Sequence, residues 1–228
     1  MTIDRIVVVI PARNEEELVE GCLLSVAAAA MAAAVPTRIV LVADRCTDAT
    51  AAIARSVAGV RVLETPFANV GAARAAGVRY AMGSSTGADW VANTDADSSV
   101  PTNWLTAQLD AAAAGFDLVI GTVRPRFSDL SPQAVQRWKA THSDGQALGH
   151  IHGANLGILA ARYVEAGGFS DDAEHEDVSL VRRVRMLGAR ALETGTIEVE
   201  TSGRFRGRTP GGYAAHLAET SRDIRLRA

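Results

Sequence analysis

The run Ile6-Val7-Val8-Val9-Ile10, followed at once by Pro11-Ala12-Arg13-Asn14-Glu15, decides how the chain is read. Five consecutive β-branched residues leave no polar face, which is the pattern of a parallel strand covered by helices on both sides. The polar turn after them then falls at the carboxyl end of a buried strand, where open α/β sheets bind ligands.

The pattern repeats outward from that strand. Glu15, Glu16 and Glu17 suit the positive end of a helix that runs to about residue 34. A second strand over residues 38–43 ends in Asp44-Arg45-Cys46-Thr47-Asp48, and Thr47 or Asp48 can cap a helix to about residue 58. A third strand spans residues 60–64. Asn69-Val70-Gly71-Ala72-Ala73-Arg74 then turns into a helix ending near Gly83. The apolar run 88–92 gives a fourth strand, which ends in Asn93-Thr94-Asp95-Ala96-Asp97. Four strand–helix alternations with right-handed crossovers predict an α/β fold, a doubly wound and mostly parallel sheet flanked by helices. No Gly-x-Gly-x-x-Gly follows the first strand, so this is not a dinucleotide-binding sheet.

The second half is less regular. It reads as a helix over 101–115, a strand over 116–123 and a helix around 133–141. A glycine-bearing strand over 150–158 and a short helix over 161–166 follow. A basic helix over 175–188, a strand near 197–201 and a last helix from about Gly212 complete the chain. No repeat and no long linker divides it, so residues 1–228 are read as one domain. Residues 1–100 make up its regular half and residues 101–228 its less regular half.

Composition narrows the function. Of the 228 residues 48% are hydrophobic and 21% charged, enough apolar surface for a packed core. The formal net charge of −3 argues against a nucleic-acid binder, which carries a basic face. Two cysteines, Cys22 and Cys46, lack metal spacing and suggest a reducing compartment. No basic segment and cleavage site precede the first strand, and the longest apolar stretch, 22–35, is too short to span a bilayer. A cytoplasmic protein is expected, at most peripheral to a membrane, and a homodimer is allowed.

Asp95 and Asp97 stand one residue apart at a strand end. In extended backbone, alternate side chains point the same way, so both carboxylates can reach one hard cation. The plain alternative is a polar strand end followed by a helix cap at Ser98 or Ser99, just before Pro101.

Taken together, these segments resemble family 2 glycosyltransferases of the GT-A fold over most of the chain. The turn Pro11-Ala12-Arg13-Asn14-Glu15 resembles the family's first-strand motif, and Asp44 with Asp48 its second acidic turn. Asn69, Gly71 and Arg74 resemble an Asn-x-Gly…Arg segment, and Asp95-Ala96-Asp97 the metal-binding Asp-x-Asp. Gly153-Ala154-Asn155 resembles the acceptor-side segment. Gly167-Gly168-Phe169 with Glu176-Asp177 resembles the segment that carries the catalytic base. Ala43 stands where a second acid is usual, and Ser179 where an acid is frequent.

The resemblance implies inverting transfer of a sugar, a hexose by expectation, from a nucleotide-diphosphate donor to an acceptor hydroxyl. Mg²⁺ or Mn²⁺ would sit mainly on Asp97, helped by Asp95, and neutralise the leaving diphosphate. Pro11 to Glu15, Asp44, Gly71, Arg74 and Asp95 to Asp97 would bind the donor. Asp44 would accept the imino hydrogen of uracil, favouring a UDP-sugar. Gly153, Ala154 and Asn155 would face the acceptor. Asp177 would be the general base, with Glu176 beside it. Arg74 equally suits a surface charge on its helix, and the Glu176-Asp177 pair a helix N-terminus. In some relatives a late histidine completes the metal shell, and His216 holds that position. It is left out of the metal set here. Arg204, Arg206 and Arg208 form a lid over the diphosphate or a solvated loop. Two other classes share parts of the pattern. A nucleotidyltransferase would carry a glycine-rich first turn, which is missing, and an inactive binding module would not need Asp177.

Overall fold

A computed structural model describes residues 2–83, 89–142, 149–172, 174–205, 207 and 212–222. Arg206 and Arg208 lie outside these residues, as does the side chain of His216, so the lid and the late histidine are not placed.

The first half follows the expected alternation: β1 (Arg5–Ala12), α1 (Val19–Ala33), β2 (Thr37–Asp44), α2 (Thr50–Ser56), β3 (Val60–Thr65), α3 (Val70–Met82) and β4 (Asp89–Asn93). The second half contains β5 (Ser98–Ser99), α4 (Trp104–Ala113), β6 (Leu118–Pro125), α5 (Pro132–Thr141), β7 (Leu156–Leu159), α6 (Ala160–Glu165), α7 (Glu176–Met186), β8 (Ala191–Thr201) and α8 (Tyr213–Arg222). The strands form one sheet in the order β3-β2-β1-β4-β7-β6-β8-β5. Strands β3, β2, β1 and β4 are mutually parallel; β7 runs antiparallel to both β4 and β6.

The β-branched run of β1 serves two cores at once. Ile6, Val8 and Ile10 pack under α1 and α4, with Leu23, Val26, Trp104 and Leu105. Val7 and Val9 face the opposite side, with Val78 of α3 and Leu180 and Val184 of α7. Alternate side chains of a strand point to opposite faces, so an all-apolar strand requires helices on both.

Four sequence expectations are corrected. Ser98 and Ser99 do not cap a helix but pair with β8, Ser98 opposite Thr201, with a hydroxyl contact of 2.9 Å between them. The next helix therefore starts at Trp104, after Asn103, and not at Pro101. The first helix starts at Val19 and not at Glu15, because the Glu15 and Glu16 side chains are drawn to partners elsewhere in the chain. The last long strand starts at Ala191, paired in parallel with β6, well before residue 197.

Asn155 belongs to the core and not to an acceptor surface. It is 1% exposed and every polar atom of its amide is used. Its Oδ1 accepts the Trp104 indole N–H at 2.9 Å, and its Nδ2 donates to the Thr122 carbonyl at 2.8 Å and to the Ile197 carbonyl. The amide lies flat on Gly121, where a Cβ would come within 2.2 Å of Nδ2. Buried amides without partners are costly, so Asn155→Ala should strand the indole N–H and two carbonyls and lower stability by about 2–4 kcal/mol. Urea unfolding checks this. A cost below about 0.5 kcal/mol would mean that water or repacking replaces the amide.

Candidate active site

The carboxyl ends of β1, β2 and β4 open onto a cleft of about 740 Å³, closed on the far side by residues 149–154, the start of α7 and residues 201–204. That volume lies in the range of small-molecule sites.

Two loops form its first wall. Asn14 adopts a left-handed conformation (φ 56°), which asparagine tolerates better than most residues. Its Oδ1 accepts the Thr47 N–H at 2.8 Å, tying the loop after β1 to the loop after β2. The Glu15 N–H donates to the Thr50 hydroxyl at 2.7 Å. Asp44, only 4% exposed, stands at the cleft floor. Its Oδ1 accepts the Thr65 hydroxyl (3.1 Å) and the Ala68 N–H (3.0 Å), and its Oδ2 accepts the Asn69 N–H (2.9 Å). Asn69 caps α3 by accepting the Ala72 N–H at 2.8 Å and donates across the cleft edge to the Asp171 carbonyl at 2.9 Å.

Arg74 is not the surface charge that its place on α3 allows. Its side chain is 3% exposed and lies at the centre of the site. It donates to Asp95 Oδ1 at 2.5 Å and to the Gly153 carbonyl at 2.6 Å, and its Nε lies 3.4 Å from Glu176 Oε1. The guanidinium also sits 5.6 Å from the Phe169 ring centre, a cation–π contact. Burial alone would lower the Arg74 pKa, but Asp95, Glu176 and Asp177 outweigh it and hold the cation above its ordinary value. Burial pushes the Asp95 carboxyl up to about 6 against the pull of Arg74, with Asp97, Glu176 and Asp177 adding to the rise. Burial likewise raises Glu176, again opposed by Arg74.

The second carboxylate of the pair is also engaged. Asp97 Oδ1 accepts the Thr201 hydroxyl at 3.3 Å, and its Oδ2 lies 2.7 Å from Arg204 Nη2. Arg204 is in turn clamped by both oxygens of Glu15, at 2.8 and 2.9 Å. Glu15 thus reaches the site through Arg204. Opposite, Asp177 Oδ2 accepts the Gly153 N–H at 2.6 Å and its Oδ1 the Val178 N–H at 2.7 Å.

Of the residues singled out from sequence, Pro11, Ala12, Arg13, Glu15, Asp44, Arg74, Asp95, Ala96, Asp97, Gly153, Ala154, Glu176 and Asp177 line this one cleft. Asn14 and Gly71 do not. Asn14 shapes the loop, while Gly71 is a packing site where a Cβ would meet the Ser170 carbonyl at 2.0 Å. Asn69, singled out from sequence as part of the Asn-x-Gly…Arg segment, also lines the cleft, and Thr201 and Tyr213 join it without any sequence signal. The asparagine cap was the one legible signal, since it fixes where α3 begins.

Among the described residues no three His, Cys, Asp or Glu side chains converge on one point. Asp95 and Asp97 fit an ion that takes one or two carboxylates and completes its shell with water and phosphate oxygens, as Mg²⁺ and Mn²⁺ do. No described helix is long and apolar enough to cross a membrane.

A continuous, mostly parallel sheet flanked by helices is the GT-A architecture. A sequence model of glycosyl transferase family 2 matches residues 7–162, more than half of the chain, and the chain belongs to that family. Among solved structures, residues 1–349 of TarS from S. aureus in complex with UDP-GlcNAc superpose with a TM-score of 0.67 at 18% identity, covering 97% of this chain and 66% of that one. The mannosyltransferase PcManGT from Pyrobaculum calidifontis, in complex with GDP-Man and Mn²⁺, gives 0.65 at 22% identity, covering 99% and 65%. The chain therefore spans just under two thirds of these two longer chains, and 43% of the longer TarS structure. No curated protein sequence matches.

Removing Arg74 tests its place at the centre. Breaking a buried ion pair by deleting one partner costs about 3–5 kcal/mol, so Arg74→Met should be strongly destabilised near neutral pH. Without the cation Glu176 rises further above its ordinary value. The folded state then binds more protons than the unfolded state, and stability falls as pH rises through that window. The deficit of Arg74→Met relative to the parent should be smaller at about pH 5 than at about pH 8. Thermal melts showing the same deficit at both would assign Arg74 a role other than charge compensation.

Proposed function

We propose that the chain is an inverting, metal-dependent glycosyltransferase that moves a hexose from a nucleotide-diphosphate donor to an acceptor hydroxyl. The supporting observation is that Asp95 and Asp97 share one cleft with Asp177 and Arg204. It supports a cation site for a leaving diphosphate and, in the same cleft, a carboxylate to take a proton. Residues 1–100 supply the donor loops and residues 101–228 the acceptor side.

The chemistry follows from the charges. The acceptor oxygen attacks the anomeric carbon and loses its proton to Asp177, while the bond from that carbon to the diphosphate breaks. Attack from the face opposite the leaving group inverts the centre. A divalent ion on Asp97 and Asp95 would act as a Lewis acid on the diphosphate. Arg204 lies at the same carboxylate and supplies a second positive charge. Arg74, buried and committed to Asp95, Gly153 and Glu176, acts as a positioning residue and not as a donor ligand.

Asp44 favours uracil. Its Oδ1 already accepts two donors, and Oδ2 accepts one, leaving capacity for a single further bond. Uracil offers one imino N–H there. Guanine presents N–H groups in a pair and suits a carboxylate with both oxygens open.

In calorimetry with Mn²⁺, UDP should bind more tightly than GDP, and Asp97→Ala should abolish nucleotide binding and turnover together. Tighter GDP binding would reverse the base assignment, and full activity in excess chelator would remove the metal from the mechanism.

Asp177→Asn keeps shape and hydrogen-bond acceptance at one oxygen but cannot take the acceptor proton. Turnover should fall about 10²–10⁴-fold with donor affinity nearly unchanged. Asp177 is the second residue of α7 and both its oxygens accept backbone N–H groups, so a merely structural Asp177 predicts a lower melting temperature in Asp177→Asn with near-parent turnover of the folded protein. Turnover within a few-fold of the parent at saturating substrates would pass the role to Glu176.

A further inference from the structure

Arg204 is held by two carboxylates distant from it in sequence, Glu15 by 189 residues and Asp97 by about half the chain. Glu15, 8% exposed, grips both terminal nitrogens, and Asp97, 13% exposed, takes Nη2 through Oδ2. Asp97 is also the residue on which the proposed reaction would place its divalent ion. A guanidinium and a divalent ion on one carboxylate oxygen repel each other strongly in a partly buried site. That repulsion is relieved when the guanidinium leaves the oxygen or when an anion enters between the two cations.

We infer that Arg204 is an internal cation that occupies Asp97 until a divalent ion displaces it, and that Glu15 is the positioning residue which keeps the displaced guanidinium at the cleft to meet the diphosphate. This deepens, and rests on, the metal-dependent reading above. The bidentate Glu15 clamp is what makes the exchange local. When Asp97 is taken, Arg204 loses one partner and keeps the other, so its charge stays where the diphosphate arrives. Binding of metal without nucleotide is then opposed, and binding of metal together with diphosphate is favoured. Linkage makes this coupling reciprocal.

The decisive variant is the double substitution Glu15→Gln with Arg204→Gln. It removes one charge of each sign, so the net charge of the cleft is unchanged and Glu15 is not left as an unpaired carboxylate, while Asp97 loses the guanidinium whose competition is under test. Mn²⁺ is titrated calorimetrically into the full chain, first alone and then with UDP. Displacement predicts that the double variant binds Mn²⁺ alone about 5- to 50-fold more tightly than the parent and binds UDP with Mn²⁺ more weakly. Unchanged or weaker affinity for Mn²⁺ alone overturns the inference. A second readout uses the parent itself. The Arg204 Nε–H resonance, identified by its loss in Arg204→Lys, should shift when Mg²⁺ is added without nucleotide. No shift at saturating Mg²⁺ overturns the inference even if the double variant does not fold. Failure of the underlying reading looks different: neither protein would bind Mn²⁺ even with UDP, or Asp97→Ala would leave that binding intact.

Discussion

A guanidinium buried among carboxylates is costly on both sides of the pair, and Arg74 is where this molecule accepts that cost. Three elements supply its partners: Asp95 at the end of β4, Glu176 at the start of α7, and the Gly153 carbonyl before β7. Taking any one away leaves a charge or a donor inside the protein with nothing to answer it. The site is therefore specified as a set. Asn69 fixes the first turn of α3, Gly71 lets that turn close on Ser170, and Arg74 then projects to the centre, one turn further on. Phe169 covers the guanidinium from the side.

This arrangement leaves the cleft short of positive charge. Glu15, Asp44, Asp95, Asp97, Glu174, Glu176 and Asp177 line it, against Arg13, Arg74 and Arg204. Arg74 is spent within the protein, and Arg204 is shared between Glu15 and Asp97. A diphosphate would enter such a place only with a cation of its own. The acidic lining and the proposed divalent ion are thus two sides of one requirement.

Much of the first half was legible because its signals are local. The run 6–10 specifies a doubly covered strand, and Asn69 specifies the start of a helix. The Asp95-Ala96-Asp97 turn follows from the end of the fourth apolar run, and all of these fall where sequence reading put them. The second half resisted because its decisive partners are distant. Nothing near Ser98 announces a two-residue strand whose mate is Thr201. Nothing near Glu15 announces Arg204, 189 residues away. Asn155 sits in a motif whose neighbours line the cleft, yet the Trp104 indole and two carbonyls claim its amide for the core. Arg74 reads equally as a donor contact or a surface charge until the charges around it are placed.

The direction of β7 explains why the two walls of the cleft meet at all. A parallel strand beside β4 would begin at the opposite edge of the sheet, and the residues preceding it would lie far from Asp95. Because β7 runs antiparallel, with Leu156 opposite Asn93 and Gly157 opposite Ala92, it begins where β4 ends. The 3₁₀ turn Gly153–Asn155 is thereby delivered to the carboxyl edge. Its Gly153 carbonyl meets Arg74 and its Gly153 N–H meets Asp177. No side chain at residue 153 would be tolerated there, since a Cβ would fall 2.3 Å from the Arg74 guanidinium. One reversal of strand direction thus brings the carboxylate read as the base, the central arginine and the aspartate pair to a single edge. The short register between β4 and β7 is as much a part of the site as the side chains it positions.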